Sequence, residues 1–464
     1  MVFSSIIFLF TFLPITLGLY FISPRKFKNL TLLVISLVFY AWGEPLYIFL
    51  MLFTTIFDFF MGKIIARYVI YEKKAKYLLI FTVAVNIFIL GFFKYYGFLV
   101  DNLNALFSLN IAKSTLPLPI GISFYTFQTL SYIIDVYLGK VKVQKDIISF
   151  SLYVTMFPQL VAGPIVRYSD INEQLEERTE SFEKFGQGVE RFILGLGKKV
   201  LLANNIGFLW TTISSTDIST ISVLTSWIGI IAFTFQIYFD FSAYSDMAIG
   251  LGKIFGFDFI ENFNYPYTSK SVTEFWRRWH ISLGSWFREY IYIPLGGNRC
   301  KLLYQCRNLF VVWLVTGLWH GASWNFIIWG LYYGSILLIE KLFLNDYLDT
   351  MHPILSRIYT MFFVIIGWVL FGFENLSDGL KYLKTMFLLS GNPLVDDASL
   401  YYMLSYATIF IILILCSTPI PLNLFKLIKE KSTLVPTLIN VSIFFLSVAY
   451  LVTETYNPFL YFRF

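Results

Sequence analysis

Apolar stretches recur along the chain near residues 5–22, 30–42, 46–61, 77–93, 116–137, 147–166, 192–210, 222–256, 308–339, 356–373, 401–418 and 434–452. They are apolar all round instead of alternating with polar residues, which predicts helices and disfavours an outer-membrane barrel. Several are irregular in length. The pattern therefore predicts an all-α polytopic membrane protein with about 11–13 transmembrane or re-entrant helices around a central cavity.

One stretch is the wrong length. From Asn308 to Ile339 there is no Asp, Glu, Lys or Arg, and Arg307 and Glu340 close the run. At ~1.5 Å per residue such a run makes ~48 Å of helix. A bilayer core is ~30 Å thick, so one straight span wastes length and two lack it. His320 sits in the middle, followed by the small residues Gly321, Ala322 and Ser323. The run is expected to break there, with a partial helix entering and a fuller one leaving. Broken helices at mid-depth are tolerated only against protein or a watery cavity. An ionisable group inside a membrane usually marks a functional path. The plainer alternative is a structural histidine that donates to a carbonyl freed by the kink.

A second stretch, SVTEFWRRWHISLGSWFREY at 271–290, carries too many arginines to cross. On a helix, Phe275, Trp276, Trp279, Leu283, Trp286, Phe287 and Tyr290 fall within roughly 120°, opposite Arg277, Arg278, Arg288, Glu274 and Glu289. This predicts an interfacial amphipathic segment over 271–299, its aromatic face in protein or lipid. His280 falls at one edge of that face. The arginines either hold phospholipid phosphates or receive an anionic cytoplasmic substrate.

Composition narrows the class. The chain has 464 residues, 57% hydrophobic, 20% aromatic and 14% charged, where soluble proteins carry about 25% charged residues. The net charge of +6 fits basic cytoplasmic loops, and no Lys/Arg run marks a nucleic-acid footprint. Short loops with Arg25, Lys26 and Lys28, and with Lys63, Arg67, Lys73, Lys74 and Lys76, belong in the cytoplasm, which puts Met1 outside. The N-terminus reads as a first span, without the basic n-region of a cleaved signal. The charged stretch 167–199 reads as a cytoplasmic helical loop within a single membrane domain, 1–464. Cys300, Cys306 and Cys416 have no metal-site spacing and read as free thiols, with S-acylation of the first two a weaker alternative.

Other polar residues enter the apolar regions. Gln236, Asp240 and Asp246 lie in FQIYFDFSAYSDMAIG, and the carboxylates suit acid–base work, helix-end caps or pairing with nearby arginines. Pro158, Gly163 and Pro164 break another span. Asn262, Asn264 and Pro266 form a turn before the amphipathic segment, and His352 reads as a loop residue. No G-x-S-x-G nucleophile motif is present. The simplest chemistry is that neutral His320 takes a proton from an acceptor hydroxyl as its oxygen attacks an acyl donor.

Several blocks together resemble a family. LPIGISFYTFQTLSYIIDVY, PQLVAGPIVRY, FQIYFDFSAYSDMAIGLGKIFGF, ENFNYPY, EFWRRWHISLGSWFREYIYIPLGGNR, GLWHGASWNFIIWG and YNPFLYFRF are similar to the membrane-bound O-acyltransferases, in particular the membrane subunit of bacterial polysaccharide O-acetylation. The likeness covers nearly the whole chain. It implies that His320 is the essential catalytic histidine and His280 the second site residue. It also implies acyl transfer from a cytoplasmic thioester, acetyl-CoA foremost, toward polysaccharide hydroxyls outside, through a secreted or lipid-anchored SGNH-type esterase-like partner. WFREY stands where WFRDY is expected, with Glu289 keeping the charge. The substrate-binding candidates are Arg277, Arg278, Arg288, Trp319, Ser323, Asn325, Asp240 and Gln236, with no metal and no bound cofactor. Two other readings stand beside this one: D-alanyl transfer toward teichoic acids, and a transporter of polymer or acyl groups without chemistry. Against the transporter, no inverted repeat is visible.

Overall fold

The structure is a computed structural model and describes residues 1–113, 116–161, 163–453 and 456–458. Among these residues all regular structure is helical. Among the described residues, seven helices are long and apolar enough to cross a membrane, from Tyr47–Tyr68 to Leu434–Thr453. An eighth crossing is available in Asp397–Ser405 and Ala407–Cys416, which bend by 55° at their junction. The remaining apolar stretches form shorter helices, such as Lys28–Gly43 and Ile122–Tyr137. This is a multi-pass membrane protein.

The chain folds as two compact units: Met1–Phe192 with Ser245–Ile260, and Ile193–Tyr244 with Glu261–Phe464. In the first, Ile122–Tyr137 is buried almost from end to end. Gly62 lets the Tyr132 ring lie against the Tyr47–Tyr68 helix, where a Cβ would come within 2.6 Å of it. Asn86 donates to Asp58 Oδ1 at 2.8 Å between the Glu72–Phe107 and Tyr47–Tyr68 helices, which gives that buried oxygen a partner. The stretch around Pro158 breaks as its sequence predicts: Ile147–Thr155 stops at Met156, and the single turn Phe157–Leu160 follows.

The charged stretch 167–199 is helical over most of its length. Tyr168–Glu176 is a short helix, and a second helix that starts at Phe182 runs on to Ser214 as one candidate span. Phe182 at its start is exposed, whereas Phe192 and Leu196 further along are buried. Arg191 on that helix pairs with Asp246 at 2.6 Å.

The second unit holds the candidate chemistry. Its core is unusually aromatic: Trp210, Trp279, Trp313, Trp329, Trp368 and Tyr333 are buried. Trp329 meets Tyr333 edge to face, and Trp279–Trp368, Trp313–Trp329 and Trp313–Tyr333 are tilted pairs.

Candidate active site

The long apolar run forms a helical hairpin. Leu302–His320 ends at the histidine, Gly321 and Ser323 are extended, and Trp324–Ile339 returns. The entering helix has 19 residues, about 28 Å, so it is fuller than the partial helix expected. The leaving one continues through a π-helical turn to Thr350. The two run antiparallel in close contact. A Cβ on Gly317 would collide with the Phe326 carbonyl, and one on Gly330 with the Trp313 carbonyl. Glycine at both positions lets the backbones meet, as small residues do in membrane helix pairs. His320 sits at the tip, half-buried, its ring 5.1 Å from Trp329 and 5.2 Å from Phe371.

The segment over 271–290 is not one helix. Val272–Arg278 and Ile281–Phe287 are separated at Trp279 and His280, and His280 takes left-handed backbone angles (φ 45°). The reason is tertiary. An extended strap before it supplies hydrogen bonds that the helix gives up: Asn264 N–H donates to the Arg278 carbonyl, and Ile281 N–H to the Asn262 carbonyl, both at 2.9 Å. The aromatic face packs into protein. Trp276 lies 4.8 Å from Trp313, and Trp279 lies 4.9 Å from Trp368. Glu340, fully buried, accepts from the Val272 and Thr273 backbone N–H groups at 2.7 Å and from the Thr273 hydroxyl at 2.6 Å. A carboxylate there satisfies the open donors at the start of that short helix.

The hairpin and the bend at Trp279–His280, an elbow between the two short helices, line a cavity of about 880 Å³. Both His280 and His320 line it, with Arg277, Arg288, Trp313, Thr316 and Leu309. Arg277 and Arg288 are exposed. Trp319 touches both imidazoles, with ring centroids 6.0 Å from His280 and 5.0 Å from His320. His280 is buried, not at the edge of an interfacial face. It lies outside the helices long enough to span a membrane, and burial pushes its pKa down to about 3, so it is neutral at physiological pH. Its Nδ1 lies 3.1 Å from Asn262 Oδ1.

The other candidates lie elsewhere. Arg278 pairs with Glu274 at 2.6 Å and does not line the cavity. Ser323 begins the second hairpin helix without a side-chain cap, and Asn325 donates to the Phe373 carbonyl at 2.5 Å. Gln236 is buried against Gly207. Asp240 pairs with Lys199 at 2.6 Å, and both are buried. For the two carboxylates of FQIYFDFSAYSDMAIG, pairing is thus what their placement displays, and neither Asp240 nor Gln236 lines this cavity. Among the described residues no group of three or more metal-ligating side chains gathers.

Sequence reasoning passed over three residues. Lys341 lines the cavity and donates to Gln305 at 2.7 Å and Asn298 at 3.0 Å. Glu340 was visible only as the end of an apolar run, and Asn262 only as part of a turn. Their roles depend on contacts distant in sequence, which no local pattern signals.

The family model for membrane-bound O-acyltransferases matches residues 39–377. The chain is 45% identical over 392 residues to the probable alginate O-acetylase AlgI of Pseudomonas aeruginosa, covering 83% of this chain and 75% of that one. It is 40% identical to the AlgI of Pseudomonas putida across the full length of both. It is 35% identical over 426 residues to the peptidoglycan O-acetyltransferase of Helicobacter pylori, covering 84% of this chain and 80% of the relative.

Proposed function

Because this chain belongs to the membrane-bound O-acyltransferase family and is an O-acyltransferase, we propose that it moves an acetyl group from a cytoplasmic thioester, acetyl-CoA, toward polysaccharide hydroxyls outside the cell. The relatives named for alginate and peptidoglycan acetylation support the acetyl group and the polysaccharide acceptor. The observation that carries the reading is that His320 and His280, 40 residues apart in sequence, line one cavity together with Arg277, Arg288 and Lys341.

The three cations hold the donor's phosphates, in the fork geometry that guanidinium groups favour and as a point charge from the ammonium. They mark the cytoplasmic mouth, and the basic loops on that side put Met1 outside. His320 is the general base. The acceptor oxygen attacks the thioester carbonyl, His320 takes the hydroxyl proton, the carbon–sulfur bond breaks, and the proton passes to the departing thiolate. His280 assists at the same cavity. Trp319 holds the two rings apart and sets their orientation. A secreted or lipid-anchored SGNH-type partner carries the acetyl group onward to the polymer.

The test is acetyl transfer from labelled acetyl-CoA by the protein with its partner and acceptor present. His320→Ala, at unchanged expression and folding, is expected to lower the rate by ~10²–10⁴, the usual worth of a placed general base. Undiminished transfer would remove His320 from catalysis. Transfer only from a D-alanyl carrier thioester would replace acetylation by D-alanylation, and acceptor movement without donor consumption would make the protein a transporter.

A further inference from the structure

Asn262 does not line the cavity, yet its side chain meets His280 from behind. Its Oδ1 is 3.2 Å from the backbone nitrogen of Ser282, 2.9 Å from Ser282 Oγ and 3.1 Å from His280 Nδ1. A backbone N–H only donates, so the Asn262 atom facing it must be the oxygen and not the amide nitrogen. An oxygen cannot donate to the imidazole. The His280 nitrogen beside it must therefore carry the proton, and the lone pair falls on Nε2. That atom is buried and has no hydrogen-bond partner among the described residues. An unsatisfied buried polar atom costs about 1–3 kcal/mol unless something bonds it, and His280 is a residue of the cavity lining.

We propose that Asn262 is a positioning residue that locks His280 as the Nδ1–H tautomer, so that Nε2 accepts a hydrogen bond from an O–H or N–H of the substrate in the cavity. The same residue fixes the elbow twice, since its main-chain carbonyl also accepts from Ile281 N–H at 2.9 Å. The rival arrangement has Ser282 Oγ, 3.4 Å away, donating to a bare Nδ1. That would set the Nδ1 lone pair against the Asn262 oxygen and would turn Nε2 into a donor. The groups around the ring are Phe241 and Phe263 (4.7 and 6.4 Å between centroids) and Trp319, with Arg277, Arg288 and His320 on the cavity wall.

The substrate contact rests on the acyl-transfer reading above, whereas the tautomer does not, so the two are tested separately. The chain has three histidines, so nitrogen-15 histidine labelling of the full-length protein in detergent gives three imidazoles. His280→Gln and His320→Gln assign them. His280 is expected as Nδ1–H near neutral pH, and Asn262→Leu is expected to shift it toward Nε2–H. Wild-type His280 found as Nε2–H, or left unchanged by Asn262→Leu in a folded protein, overturns the proposal. Should Asn262→Leu fail to fold, Asn262→Asp keeps the shape and the acceptor. Its carboxylate should preserve the tautomer and raise the pH at which His280 protonates, moving the acid limb of the acyl-transfer pH profile upward. An Asn262→Asp protein whose His280 tautomer and titration both match the wild type also overturns it.

Discussion

Two imidazoles share one cavity, and their surroundings differ. His320 is half-buried at a helix end, where the proposed general base would meet the acceptor hydroxyl. His280 is held by Asn262 on one side and by rings on the others, which suits a fixed acceptor. Around them the arginines divide by partner. Arg278 is spent on Glu274, while Arg277 and Arg288 line the cavity and reach solvent. Arg277→Gln and Arg288→Gln should therefore raise KM for acetyl-CoA about tenfold each, the ~1.4 kcal/mol expected of a charge-assisted contact, with kcat little changed. Arg278→Gln should leave KM near the wild-type value. Initial-rate kinetics at two salt concentrations check this, since the first two variants should also lose salt sensitivity.

At the scale of elements, the hairpin was legible and the elbow was not. A run too long for one span with a histidine and three small residues in the middle states its own break. The amphipathic segment states a continuous helix, because helical periodicity registers which face is apolar and not whether a neighbouring strap competes for its hydrogen bonds. The hairpin yields a prediction remote from the chemistry. At Gly330 a Cβ would press on the Trp313 backbone carbonyl, so Gly330→Leu must part the two helices. Overpacking of this kind costs about 1–3 kcal/mol. Thermal unfolding in detergent should show a lower midpoint, and the displaced His320 should lower kcat. An unchanged midpoint would mean that the close approach contributes nothing.

Across the whole molecule, the proposed direction of transfer depends on which side the basic loops face. Cys300 lies just before the entering hairpin helix and Cys306 in its first turns, and both are half-buried thiols. With Cys416 replaced by Ser, a membrane-impermeant maleimide should label them only after the cells are permeabilised. Labelling in intact cells would place the Arg288 side outside and remove the route for a cytoplasmic donor.

Composition and periodicity alone determined that the chain is helical and membrane-embedded, because burying apolar helices in lipid is a matter of length and hydropathy. The motif blocks alone pointed to His320 and His280. What only the tertiary structure decided is which charges remain available and how each histidine is held. Arg278, Asp240 and Asn325 resemble site residues in sequence, yet each is matched by a partner in the fold, whereas Lys341 and Asn262 gain their roles from contacts made only once distant segments pack. Hydrogen bonds and ion pairs are short-ranged, so their partners are set by three-dimensional proximity, which spacing along a chain does not encode.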